Sequence, residues 1–197
     1  QVEIPPEMLH SLGDVYGVHF VRPPIRPLRQ VVSQGVSLSG ADEYHDNGLV
    51  GAGVKVAVID DGFTGANRMA SEIPNGVVVR SFSSGSVYAG SVHGAACAEI
   101  VHDVAPGAEL YLLRVENLLQ LENAKDYAIA NGVDIISHSM AWLGTGFGDG
   151  RGLACEIVDD ATENGILWVN SAGNYARRQY SGLWADSDSD GWHNFRG

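Results

Sequence analysis

Cysteine, basic residues and long apolar runs are all scarce in this sequence of 197 residues. The two cysteines, Cys97 and Cys155, are too few for a disulfide framework and allow either one bridge or two free thiols. Twelve basic residues stand against 24 acidic ones, and the net charge of -12 argues against nucleic acid or an anionic membrane surface as a partner. No apolar run reaches the roughly 18 residues of a transmembrane helix, so we expect no membrane span.

Apolar runs and helical patterns alternate from residue 54 onward. Strands are predicted at residues 54–59, 77–81, 110–115, 133–137 and 166–170. Helices are predicted between them at residues 93–102, 118–131 and 152–164. Because these strands are apolar without alternation, we expect both of their faces to be buried. The pattern therefore predicts an α/β fold, with a parallel sheet covered by helices on both faces and ligands at its carboxyl edge.

The first 30 residues differ in character from the rest. A short helix is predicted at residues 5–12 and an alternating strand at 15–21. Three prolines within residues 22–30 favour an extended linker there. We therefore predict a separate N-terminal segment of residues 1–30, followed by a single domain over residues 31–197.

Three segments place polar side chains next to these predicted elements. Asp60 ends an apolar strand, His93 begins a helix of small residues, and Asn174 ends a Ser-Ala-Gly-Asn turn after another strand. Taken singly, each has an ordinary structural explanation as a turn residue or a structural histidine. Their order along alternating strands and helices is the feature that needs a further explanation.

Together these motifs resemble those of the subtilisin-like serine proteases. Asp60 matches the aspartate of that family's Asp-Ser/Thr-Gly motif, His93 matches His-Gly-Thr, and Asn174 matches Ala-Gly-Asn. Residues 104–108 and 132–140 resemble the family's Val-Ala-Pro connection and its substrate-lining strand. The resemblance implies a subtilisin-like fold whose C-terminal part this chain lacks, residues 31–197 being its N-terminal two-thirds. It also implies serine endopeptidase activity on protein or peptide substrates.

The resemblance also implies a role for each matching residue. Asp60 would orient His93, His93 would take the proton of the nucleophilic serine, and the Asn174 amide would donate to the oxyanion. Three residues, Ser139, Met140 and Ala141, would line the cleft and pair with an extended substrate backbone.

The sequence departs from the family pattern in three places. Asp61 replaces the usual serine or threonine after Asp60, and it either faces solvent or alters the site. Ala95 replaces threonine, which we interpret as a packing change. No Gly-Thr-Ser-Met/Ala segment follows Asn174, so we expect the chain to be inactive alone. We expect the chain to associate with a missing C-terminal segment or with another chain. The alternative to a protease is a noncatalytic protein-binding module on the same fold.

Cys97 lies one helical turn after His93 and is therefore expected beneath the active site. A buried, inert thiol is the first interpretation of this residue, and a redox switch or a disulfide are the alternatives.

Two flanking segments carry further expectations. Asp186, Asp188 and Asp190 occupy positions 1, 3 and 5 of an Asp-x-Asp-x-Asp-Gly loop, with the backbone of Trp192 as the next candidate ligand. This loop is either a Ca²⁺ site or a solvated acidic loop. Residues 5–24 loosely resemble the end of a subtilase propeptide, which predicts a zymogen, and a decorative extension is the alternative. The resemblance to the family further implies an extracellular or cell-surface location.

Overall fold

The computed structural model describes residues 28–29, 35–68, 73, 76–146, 149–175, 183–189 and 193. The predicted helix at 5–12, the predicted strand at 15–21 and most of the predicted linker lie outside the described residues. Within the described part, the strands are β1 (Leu28–Arg29), β2 (Lys55–Asp60), β3 (Val78–Ser81), β4 (Glu109–Arg114), β5 (Ile135–His138), β6 (Met140–Ala141) and β7 (Leu167–Asn170). The α-helices are α1 (Val36–Ser39), α2 (Ala41–Asp46), α3 (His93–Val104), α4 (Leu118–Ala130) and α5 (Leu153–Glu163).

Five of these strands form a parallel sheet in the order β3-β4-β2-β5-β7. Strand β2 lies at its centre, and Val56 is paired with Leu110 of β4 on one side and Ile135 of β5 on the other. Every residue of β2 after Lys55 is buried. The predicted α/β fold with a parallel sheet is confirmed, and the five predicted strands are present with ends shifted by one or two residues.

Helices cover the two faces of the sheet, as the uninterrupted apolar strands predicted. On one face, Ala57 and Ile59 of β2 pack in the cluster that contains Leu121 and Ala124 of α4. On the other face, the intervening Val58 packs in a second cluster with the small residues of α3. Strand alternation therefore sends neighbouring residues of β2 to opposite helical layers. Helices α4 and α5 are also joined by the ion pair Lys125–Asp160.

Small residues let α3 lie very close to the end of β2. Gly94, Ala95 and Ala98 of α3 are buried against the sheet. A Cβ atom added to Gly94 would come within 2.7 Å of the Asp60 Cβ and 2.9 Å of the Phe63 ring. The absence of a side chain at position 94 therefore allows the first turn of α3 to contact the residue that ends β2.

A second, two-stranded sheet is formed by β1 and β6. The two strands are antiparallel, with Leu28 opposite Ala141 and Arg29 opposite Met140. The linker predicted at residues 22–30 is thus extended where it is described. The sequence did not predict that this linker pairs with the segment expected to bind substrate.

Strand β7 is an edge of the described sheet and exposes apolar side chains on one face. Leu167 and Val169 are 59% and 51% exposed, whereas Trp168 on the opposite face packs against the α4 and α5 layer. None of the helices in the described residues combines the length and apolar character needed to cross a membrane.

Candidate active site

The carboxyl edge of the sheet gathers the residues that the sequence singled out. Asp60 is the last residue of β2, Ser139 directly follows the neighbouring β5, and Asn174 lies four residues beyond the end of β7. His93 is the first residue of α3, which packs on β2 and β4. Parallel strands end on one side of a sheet, so Asp60 and Ser139 share that side, and the segment that leads to Asn174 begins there.

Asp60 and His93 form a buried hydrogen-bonded pair. The His93 Nδ1 lies 2.7 Å from the Asp60 Oδ2, and the side chains are 10% and 0% exposed. The other Asp60 oxygen, Oδ1, accepts the backbone N–H of Asp61 at 2.9 Å. Burial raises the pKa of Asp60, and the hydrogen bond from His93 opposes that rise. With Nδ1–H donated to the carboxylate, Nε2 is the ring nitrogen that can act as a base.

Cys97 lies against the His93 ring, as its position one turn along the helix predicted. Its sulfur is 3.9 Å from Nδ1 and 4.0 Å from Nε2 of His93, and Ser139 hydrogen-bonds to it. Both cysteines are free thiols in the structure, so the alternative of a bridge to Cys155 does not apply. Burial raises the pKa of Cys97 to about 11, so the thiol stays protonated near neutral pH.

Asp60, His93 and Cys97 together offer three potential metal ligands whose donor atoms lie within 4.8 Å of one another. The Cys97 sulfur is nearly equidistant from the two ring nitrogens, so it does not lie along the lone pair of either one. The Nδ1 position is already engaged with Asp60 at 2.7 Å, which leaves no space for an ion between them. The three residues form an acid–base pair whose histidine ring contacts the Cys97 thiol. Binding of a metal ion would require these side chains to move.

Asp61 is not simply a solvated carboxylate. It is partly exposed, and its Oδ1 accepts the hydroxyl of Ser91 at 2.7 Å. The Ser91 hydroxyl oxygen in turn accepts the backbone N–H of His93 at 3.0 Å. Ser91 was missed at the sequence level, although a serine just before a helix is a common partner for the free N–H groups of the first turn.

A second histidine, His138, lies fully buried beneath the site. Its Nδ1–H donates to the carbonyl of Ile59 at 2.9 Å, and its Nε2 accepts the indole N–H of Trp142 at 2.8 Å. Burial lowers the pKa of His138 to about 4, so the ring is neutral near pH 7. His138 therefore ties the end of β2, next to Asp60, to the segment that follows β6.

The predicted substrate segment is described at residues 139–141. The Met140 side chain is fully buried, whereas Ser139 and Ala141 are partly exposed. The antiparallel partner of β6 in the structure is the chain's own β1. The role of these residues in binding substrate stays a prediction.

The acidic loop is described only in part. Asp186 is partly exposed and Asp188 is exposed, while Asp190 and Trp192 lie outside the described residues. Ser189 has a φ of 60°, a left-handed conformation that marks a tight turn between the acidic positions. The binding of Ca²⁺ by this loop stays a prediction.

An α/β sheet with a buried aspartate–histidine pair at its carboxyl edge is the arrangement of hydrolases that activate a nucleophile through a histidine base. The chain belongs to the subtilase family, because residues 51–191 match the model of that family, Peptidase_S8. It is 32% identical over 162 residues to subtilisin DY of Bacillus licheniformis, covering 74% of this chain and 56% of that protein. It is 30% identical over 161 residues to subtilisin E of Bacillus subtilis strain 168, covering 74% and 40%.

Solved structures agree on the fold. MycP1 with its N-terminal propeptide removed is similar with a TM-score of 0.53 at 21% identity, covering 84% of this chain and 55% of that one. The prenylagaramide maturation protease PagA is similar with a TM-score of 0.51 at 21% identity, covering 68% and 51%. The chain spans about half the length of the curated relatives it matches.

Proposed function

We propose that this chain is the part of a serine endopeptidase that holds the base, its orienting carboxylate and the oxyanion amide. The observation that carries the proposal is the 2.7 Å hydrogen bond between His93 and a fully buried Asp60 at the carboxyl edge of the sheet. The nucleophilic serine would come from a further segment of the protein or from another chain. That segment would also cover the exposed apolar face of Leu167 and Val169 on β7.

In this proposal, His93 takes the proton of the serine hydroxyl as the serine oxygen bonds to the substrate carbonyl carbon. Asp60 fixes the Nδ1–H tautomer and stabilises the imidazolium ion that forms. Asn174 donates its side-chain amide to the oxyanion of the tetrahedral intermediate. His93 then returns the proton to the leaving amine, and water repeats the sequence to release the acyl group.

The substrate would add as a strand to the edge of residues 139–141. Next to this edge lies an open cavity of about 340 Å³, whose lining includes Trp142, Trp168 and Leu121. We propose that this cavity takes an apolar substrate side chain. Because β1 pairs with β6, we also propose that the N-terminal segment occupies the substrate edge until it is removed, as in a zymogen.

A fluorophosphonate probe tests the proposed endopeptidase directly. We expect the full-length protein to be labelled on a serine outside the 197 residues, because Ser187 and Ser189 are exposed in an acidic loop that lacks the family's Gly-Thr-Ser-Met/Ala motif. The 197-residue chain alone is expected to stay unlabelled, and removal of residues 1–34 is expected to speed labelling of the full-length protein. Labelling of Ser181, Ser187 or Ser189 would contradict the proposal. A full-length protein that resists the probe would favour the noncatalytic binding module.

We further propose that the acidic loop binds Ca²⁺ through Asp186, Asp188 and Asp190, with the backbone of Trp192. Calcium is expected to raise the melting temperature and a chelator to lower it, because an ion that binds only the folded state stabilises that state. The variant Asp188→Asn should abolish the shift, and Glu163→Gln on an exposed helix end should leave it unchanged. A melting temperature that changes neither with added calcium nor with chelator would establish that the loop is solvated and binds no ion.

We also propose an extracellular or cell-surface location, which family membership suggests. Recovery of the protein only from the cytosolic fraction of its natural host would contradict this proposal.

A further inference from the structure

Two consecutive carboxylates hold the same histidine by different atoms. Asp60 accepts the ring Nδ1–H of His93 at 2.7 Å. Asp61 accepts the Ser91 hydroxyl at 2.7 Å, and that hydroxyl oxygen accepts the His93 backbone N–H at 3.0 Å. Ser91 is only 7% exposed, so water competes little for these bonds. The ring and the backbone of His93 are thus each tied to the turn that follows β2.

The two loops that carry these bonds are in direct backbone contact. A Cβ atom added to Gly62 would overlap the Ala89 carbonyl and the Ser91 amide, and one added to Gly90 would overlap the Asp61 carbonyl. Loops packed this closely cannot shift independently, because interiors at this density transmit displacement. The hydrogen bond from Ser91 to Asp61 therefore lies between two loops, and a small movement of either loop would change the position of α3.

Arg114, at the end of β4, donates hydrogen bonds to both of these loops. Its Nε–H donates to the Asp61 carbonyl at 3.1 Å, and an Nη1–H donates to the Ser86 carbonyl at 3.1 Å. The Arg114 side chain is 6% exposed and is also paired with Glu116. The backbone of Asp61 is therefore held by the arginine, and its side chain accepts the Ser91 hydroxyl.

We propose that Asp61 is a positioning residue, which acts through the Ser91 hydroxyl to fix the first turn of α3 and so the His93 ring. This inference rests on the proposed endopeptidase function and adds a role for the acidic residue that departs from the family motif. The Ser91 hydroxyl donates its proton to Oδ1 of Asp61, so its oxygen is left to act as an acceptor. The remaining lone pairs of Ser91 accept the His93 N–H.

Four variants of the full-length protein test this role. Asp61→Ala and Ser91→Ala each remove the link, and each is expected to lower kcat about tenfold with KM nearly unchanged, because misplacing a base slows the chemical step. The double variant is expected to lose about tenfold rather than about 100-fold, since both changes break one link. Asp61→Asn keeps an oxygen that accepts the Ser91 hydroxyl and is expected to retain most of the wild-type kcat. Glu163→Ala, an exposed carboxylate on α5, is the matched control.

A second measurement separates this proposal from the proposed function. Proton NMR of the full-length protein reads the Nδ1–H of His93 without any substrate, and its exchange with water is expected to speed up in Asp61→Ala but not in Asp61→Asn. Unchanged exchange and kcat in Asp61→Ala would overturn the positioning role while leaving the protease intact. Faster exchange in a protein that no fluorophosphonate labels would instead uphold the positioning of His93 and overturn the endopeptidase. Multiplicative losses in the double variant would also refute the link.

Discussion

Replacement of His93 by alanine in the full-length protein is expected to lower kcat by about six orders of magnitude. Loss of the corresponding histidine in subtilisin, which works by this mechanism, lowers kcat by about that factor. The physical reason is that His93 is the base held by the buried Asp60, whose Oδ2 lies 2.7 Å from the histidine Nδ1. Without it, the serine hydroxyl has no group to take its proton.

Two further variants make this expectation specific to the pair. Asp60→Asn should leave His93 in place but favour the wrong tautomer, with a loss of about 10⁴ in kcat. His102→Ala, on the same helix and two turns beyond the site, is the matched control and should keep kcat within a few-fold of the wild type. Steady-state kinetics on a peptide substrate provides the measurement. A His93→Ala enzyme that keeps more than a tenth of its kcat would refute the assignment of the base.

Replacement of Gly62 by alanine is expected to lower the free energy of unfolding by about 3 kcal/mol. The added methyl group would overlap the Ala89 carbonyl and the Ser91 amide, which are backbone atoms that no rotamer change can move aside. Because Gly62 does not have a positive φ, the cost is one of space rather than of backbone conformation. The two loops would have to separate, and the buried link from Asp61 to Ser91 lies between them.

Gly35→Ala is the control for this prediction. A Cβ atom at Gly35 meets no atom within 4 Å, and its φ of -35 is negative. Alanine must shift φ slightly to reach the allowed extended region, so the control should lower the free energy of unfolding by no more than about 1 kcal/mol. Urea denaturation of the two variants side by side gives the comparison. Equal unfolding midpoints would show that the two loops are not in tight contact.

Much of the fold could be predicted because its signals are local. The strands at the centre of the sheet are apolar without alternation, and burial on both faces requires that pattern. The contact between His93 and Cys97 follows from their spacing of four on a helix. The approach of His93 to Asp60 came from a resemblance to a family, since no periodicity brings together residues 33 positions apart.

The remaining features depend on contacts that no local pattern encodes. His138 bonds to the Ile59 carbonyl across two neighbouring strands, 79 positions earlier in the chain. Ser91 acquires its role only when the loop before α3 meets the turn after β2. The pairing of β1 with β6 joins positions more than 100 residues apart. In each case the sequence shows an ordinary polar or extended residue, and the partner is chosen by the tertiary fold.

The shortness of β6 has a consequence for how tightly the proposed enzyme would hold a peptide. A two-residue edge can exchange only a few main-chain hydrogen bonds with an added strand. Binding energy would therefore come mainly from substrate side chains, and the selectivity of cleavage would follow the shape of the cavity bordered by Trp142 and Trp168.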